Sequence, residues 1–184
     1  MSRARGVHFA IVPSEAQRLL DAEGDDAVRE VLEDFEARPE AAPRLDLGTV
    51  WDPIHRCLSN GTLFTDEGEY PLNHAVLGGR PLYSGDERVV SFVEAGQVPD
   101  VARALQGVSE DWFRERYQEI DPDDYDGPYG EEDLRRAWEA FRDLRRFFAR
   151  AAPHVELVLA DPQGSVLSKY VNTGVLDAQG VADR

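Results

Sequence analysis

The chain has one cysteine, Cys57, and one lysine, Lys169. A lone thiol closes no intramolecular disulfide, which fits a reducing compartment, and it leaves no paired-cysteine zinc site. Long hydrophobic runs are missing as well. The apolar run Val7 to Val12 is too short for a secretory core segment, and nothing approaches the ~18 apolar residues of a membrane span. The expected setting is the cytoplasm, away from membranes. Positive charge is scarce: 20 basic residues face 36 acids, for a formal net charge of −16. Duplex binding depends on neutralising phosphates, so nucleic acid is not an expected partner. The partner class favoured by such a field is a basic protein surface or a cation.

What the chain does have is enough to fold. Its 184 residues are 42% apolar, and the aromatic residues are spread along it rather than depleted as in disordered chains. Val7 to Val12 reads as a strand. Ser14 and Gln17 then have capping-box spacing for a helix carrying Leu19 and Leu20. Val28, Val31, Leu32 and Phe35 repeat at helical spacing, and residues 21 to 36 hold eight acids against one arginine. Leu47, Val50, Trp51, Ile54 and Leu58 mark another amphipathic helix, stopped by Asn60-Gly61. Pro53 fits it only within a first turn, where no amide partner is lost. Leu72 to Leu77 is ambiguous between helix and strand, Gly78-Gly79 turns the chain, and Val89 to Val93 has strand composition.

Pro99 opens a helix bearing Val101, Ala102 and Leu105. Ser109 caps the next, which should bury Trp112, Phe113 and Tyr117. An acidic loop, Asp121 to Gly130, leads into the strongest helical stripe: Leu134, Ala137, Trp138, Phe141, Leu144, Phe148 and Ala151. Glu131 to Asp133 occupy its first turn and Arg145, Arg146 and Arg150 its last, as the macrodipole favours. Val155 to Ala160 reads as a strand, and Asp161-Pro162-Gln163-Gly164 as a type I turn into a hairpin strand, Val166 to Val171. Helices and strands do not alternate, which predicts an α+β fold. The expected architecture is a single compact domain, with several amphipathic helices packed on a small, mostly antiparallel sheet. It spans residues 1–171, with a flexible tail over 172–184.

An ordered set of segments resembles the YfbM-like family, small bacterial proteins without an established activity. The set begins with Ala10 to Leu20, Leu45-Asp46-Leu47, Trp51, Ile54-His55 and Leu58 to Gly61. It continues through Pro71-Leu72, Ala75 to Gly79, Val98 to Leu105 and Val108-Ser109. Pro128-Tyr129, Trp138 and Leu144 to Ala152 complete it, so the resemblance spans residues 7–160. The segments beyond Asp161 are extra to the family pattern. The resemblance implies a compact α+β fold and a cytoplasmic setting, and it carries over no catalytic residue.

Several residues invite a chemical role. His55 and His74 could act as acid and base or hold a metal, although a histidine bordering an apolar stripe more commonly bonds a backbone carbonyl. With no His-Glu-x-x-His motif, neither a metal nor a cofactor is expected. Cys57 reads as a core thiol. Placing Gly127 at the sixth position of an EF-hand loop puts Pro122 first and Asp133 twelfth, which defeats the calcium register. Arg135, Arg142, Arg146 and Arg150 share a helix face with Glu139 and Asp143, at ion-pairing spacing.

Two functional readings follow. One is a non-enzymatic, immunity-like or regulatory binding module that meets a basic protein through Asp25, Asp26, Glu33, Asp121, Asp123, Asp124 and Asp126. The other is a small-molecule enzyme or ligand-binding protein with a pocket at Trp51, His55, Asn73 and His74, near Asp52.

Overall fold

The computed structural model describes residues 5–40, 42–83, 88–151 and 156–160, the last by backbone alone. Among the described residues, five strands form one sheet in the order β2-β1-β5-β4-β3, with every neighbouring pair antiparallel. They are β1 (Gly6–Ile11), β2 (Arg44–Gly48), β3 (Arg80–Pro81), β4 (Val90–Val93) and β5 (Glu156–Ala160). Six helices accompany them among the described residues: α1 (Pro13–Leu20), α2 (Asp25–Ala37), α3 (Trp51–Leu58), α4 (Val98–Gln106), α5 (Glu110–Gln118) and α6 (Glu131–Ala151). A 3-10 turn covers Leu72–Ala75.

Strand alternation divides the core into two layers. Val7, Phe9, Ile11, Val90 and Phe92 pack against Leu19 of α1 and Val28, Leu32 and Phe35 of α2. Ala10 and Val93 face the opposite way, into the larger layer built by α3 to α6. The α+β expectation therefore holds, with helices on both faces of the sheet. α6 is the spine of the larger layer, where Leu134, Ala137, Phe141, Leu144 and Phe148 are buried along one stripe. Ser109 caps α5 as expected, accepting from the Trp112 amide at 3.2 Å.

Three local expectations change, and one open reading resolves. Ser14 does not cap α1: Val12 holds the cap position without a side-chain bond and Pro13 opens the helix. A proline's fixed φ and missing N–H suit that first position, so Gln17 lies inside the helix and bonds Asp21 at 2.7 Å. Leu47 belongs to β2, not to a helix with Trp51. Gly48, at φ +57°, separates the strand from α3 and leaves Pro53 in the helix's first turn. Leu72 to Ala75 resolves as the 3-10 turn, and Trp112 is only half-buried, with the Arg116 guanidinium 5.7 Å from its ring centroid. The turn at Asp161 to Gly164, the strand Val166 to Val171 and the tail lie outside the described residues.

Candidate functional site

The residues of the expected pocket lie on α3 and on the 3-10 turn that packs against it. Trp51, the first residue of α3, lies against β1 so closely that a Cβ on Gly6 would come within 2.6 Å of the Trp51 Cβ. One turn later, His55 is fully buried and its Nε2 donates to the Phe64 carbonyl at 3.2 Å. That bond leaves Nδ1 as the unprotonated nitrogen, and no partner reaches it. Burial pulls His55 down to about 4, so the ring is neutral at pH 7.

Asn73 joins His74, whose Nδ1 donates to Asn73 Oδ1 at 2.8 Å, to the Glu67 and Gly68 carbonyls, each 3.4 Å from its Nδ2. His74 is half-buried, with Tyr70 edge-on at 5.0 Å. Thus His55, Asn73 and His74 all brace the loop that follows α3. Asp52 turns elsewhere, to Arg56. A third histidine, His8 on β1, repeats the pattern: Nε2 bonds the Ala75 carbonyl at 2.9 Å, Nδ1 is orphaned, and burial pulls it down to about 4.

Sequence spacing did not mark the most heavily bonded charged side chain of this layer. Arg56 is 1% exposed. Its Nε donates to Asp52 at 2.7 Å, Nη1 to the Gly61 carbonyl at 2.9 Å and Asp124 Oδ2 at 2.8 Å, and Nη2 to the Asp124 carbonyl at 2.9 Å. The guanidinium also sits 5.9 Å from the centroid of the Tyr125 ring. The i, i+4 spacing of Asp52 and Arg56 was visible in the sequence, but nothing local announces a partner 68 residues away.

The second half of the acidic loop is held from α6. Tyr125 and Tyr117 both donate to Asp133 Oδ2, at 2.6 and 2.9 Å, and Asp133 is buried. Burial, with the neighbouring carboxylate, pushes the Tyr117 phenol up. Asp133 therefore does more than complement the helix dipole. Gly127 lies on the Tyr125 ring, where a Cβ would fall 1.9 Å from Cζ.

This scaffold sorts the acids of the loop. Asp124 turns inward to Arg56, and Asp121 accepts from the Asp123 amide at 2.9 Å. Asp123 and Asp126 remain exposed, outside any ion pair among the described residues. The other acidic stretch lies across the sheet, on α2. There Arg29 takes Asp26 at 2.7 Å and Glu33 at 3.8 Å. Asp25 stands beside them in the first turn of α2. The two groups of acids thus occupy opposite layers of the molecule.

Each of the helices α1 to α6 has an arginine in an ion pair. On α6, Arg135 meets Glu139 at 2.7 Å and Arg146 meets Asp143, the salt-bridged surface expected there. Cys57 is buried and burial pushes its thiol up, away from the reactive thiolate. A cleft of about 420 Å³ opens between α5 and α6, floored by Phe113, Leu134 and Trp138. Among the described residues, no group of three or more His, Cys, Asp or Glu side chains is placed to hold a metal ion, and no helix is long and apolar enough to cross a membrane.

Comparison with known proteins adds a fold and a family. The crystal structure of a protein of unknown function, YfbM from Escherichia coli, superposes with a TM-score of 0.62 at 17% identity. The alignment covers 85% of this chain and 99% of that one. No curated protein matches the chain. A family model described as a domain of unknown function, DUF1877, matches residues 1–160.

Proposed function

We propose, from the premise that the chain belongs to the DUF1877 family, that it is a non-enzymatic binding module of the cytoplasm, immunity-like or regulatory, meeting a basic protein surface. The observation that carries this reading is the anchoring of the acidic loop. Arg56 fixes the loop at Asp124, and Asp133 fixes it at Tyr125. The exposed carboxylates of Asp121, Asp123 and Asp126 are therefore held in place before any partner arrives, and ordering them on binding costs less. The surplus negative charge steers a basic partner towards them. The α2 acids Asp25, Asp26 and Glu33 add to the long-range field from the other side of the sheet.

The second reading, a small-molecule enzyme or ligand-binding protein around Trp51, His55 and His74, has less behind it. His55 is shut away from solvent and its Nε2 is committed to Phe64. Asn73 and His74 are committed to each other.

The test is a titration of isotope-labelled protein with decalysine, followed by amide chemical shifts. Shifts centred on residues 121–126 are expected, weakening several-fold between ~50 and ~200 mM salt as screening shortens. Asp123→Lys together with Asp126→Lys should abolish them without altering the circular dichroism. Shifts spread evenly over all exposed acids, or unchanged in the double variant, would overturn the reading.

A further inference from the structure

We infer that the cleft between α5 and α6 receives an arginine side chain of the partner protein, an extension that rests on the binding-module reading above. The cleft has two parts of different chemistry. Its floor is apolar: Phe113 and Leu134 are buried, and Trp138 is half-buried. Its volume, about 420 Å³, is at the small end of ligand pockets, suited to one long side chain rather than a docked helix.

The rim is charged and unbalanced. Arg114 meets Glu131 at 3.0 Å but reaches Glu110 only at 3.9 Å. Arg135 is shared between Glu132 at 2.6 Å and Glu139 at 2.7 Å. Three rim carboxylates, Glu110, Glu131 and Glu132, thus share two guanidiniums, one of which also serves Glu139 outside the cleft, and Glu110 is the least well paired of them. An anionic ligand would meet this surplus as repulsion. A neutral apolar ligand would fill the floor and leave the rim unanswered. A side chain with an apolar stem and a cationic head satisfies both.

Arginine fits better than lysine because its planar, weakly hydrated guanidinium pairs with a carboxylate and lies on aromatic rings together. This surface already uses that arrangement. Arg116 meets Glu119 at 2.9 Å while lying 5.7 Å from the Trp112 ring centroid, and Arg145 lies 5.7 Å from that of Trp138 while donating to the Val108 carbonyl. The cleft adjoins the acidic loop, since Glu131 opens the helix that the loop leads into. A partner with several basic residues could therefore insert one in the cleft while others face Asp123 and Asp126.

The probe is a capped pentapeptide with a central arginine, set against its citrulline and norleucine counterparts, followed by the Trp138 indole and backbone amide shifts. The arginine peptide should shift Trp138, Glu110, Arg114 and the amides of residues 131–135. Both counterparts should bind about ten-fold more weakly, the scale of a lost charge-assisted pair. Glu110→Gln with Glu131→Gln, both on the exposed rim, should weaken the arginine peptide about five-fold and leave the norleucine peptide unchanged. Equal binding of all three peptides, or no effect of the rim variant, would overturn the inference. Shifts confined to residues 121–126 would overturn it while leaving the acidic-loop reading intact, and an absence of shifts anywhere would remove both.

Discussion

His8 and His55 are two imidazoles that folding strips of water and leaves with one ring nitrogen unsatisfied. Both are pulled from 6.5 to about 4 by burial, so the unfolded chain takes up protons first as the pH falls. Stability should be flat above about pH 6.5, decline between pH 6.5 and pH 4, and level off below as far as these groups are concerned. The loss by pH 5 is about 2 kcal/mol per histidine. Urea unfolding at pH 7 and pH 5 measures it, and equal stabilities at the two values would refute it. His55→Gln retains a donor for Phe64 and should remove about half of the slope. Gly127 gives a second prediction at this scale. A methyl group there collides with the Tyr125 ring, so Gly127→Ala should cost about 1–3 kcal/mol by chemical denaturation, the range for overpacking. His55 was legible as a stripe-border histidine on a backbone carbonyl because its spacing from Trp51 and Leu58 is local. Asp133 was read as a helix-terminal acid and as the twelfth position of a calcium register that failed. Its burial depends on Tyr117 and Tyr125, whose approach no local pattern encodes.

α3 and the acidic loop behave as one unit because a single guanidinium joins them. Arg56→Met removes the donors of two carbonyls and the partner of Asp52 and Asp124. Breaking buried pairs costs about 3–5 kcal/mol, and the half-exposed Asp124 places the expected loss near the lower end. The same variant should make the 121–130 loop sensitive to limited proteolysis. A stability change under about 0.5 kcal/mol would mean that the loop is held by other contacts. Helices α2, α4, α5 and α6 were readable from the sequence since each buries one face at a 3.6-residue period. β2 was not, because Leu47 lies close enough to Val50 and Trp51 to be absorbed into a helical count. β3, two residues long, is made by pairing with β4 rather than by any preference of Arg80 and Pro81.

Across the whole molecule, a formal charge of −16 repels itself. Ion pairs such as Arg18–Asp34 offset part of this, but the acids outnumber their partners. Raising NaCl from ~10 to ~200 mM shortens the Debye length from ~30 Å to below ~10 Å. The melting temperature should therefore rise by several degrees, as compact states of high charge are relieved by screening. A fall would mean that the ion pairs outweigh the repulsion. The α+β class was legible at this scale from the irregular order of elements, but the strand order was not. β5 bonds β1 on one side and β4 on the other, with Ala160 opposite both Val7 and Val90. During translation, then, the β1–β2 and β3–β4 ribbons leave the ribosome without the strand that joins them. The nascent protein must carry two open edges until residues 156–160 emerge, which makes late synthesis the interval when a chaperone is most useful.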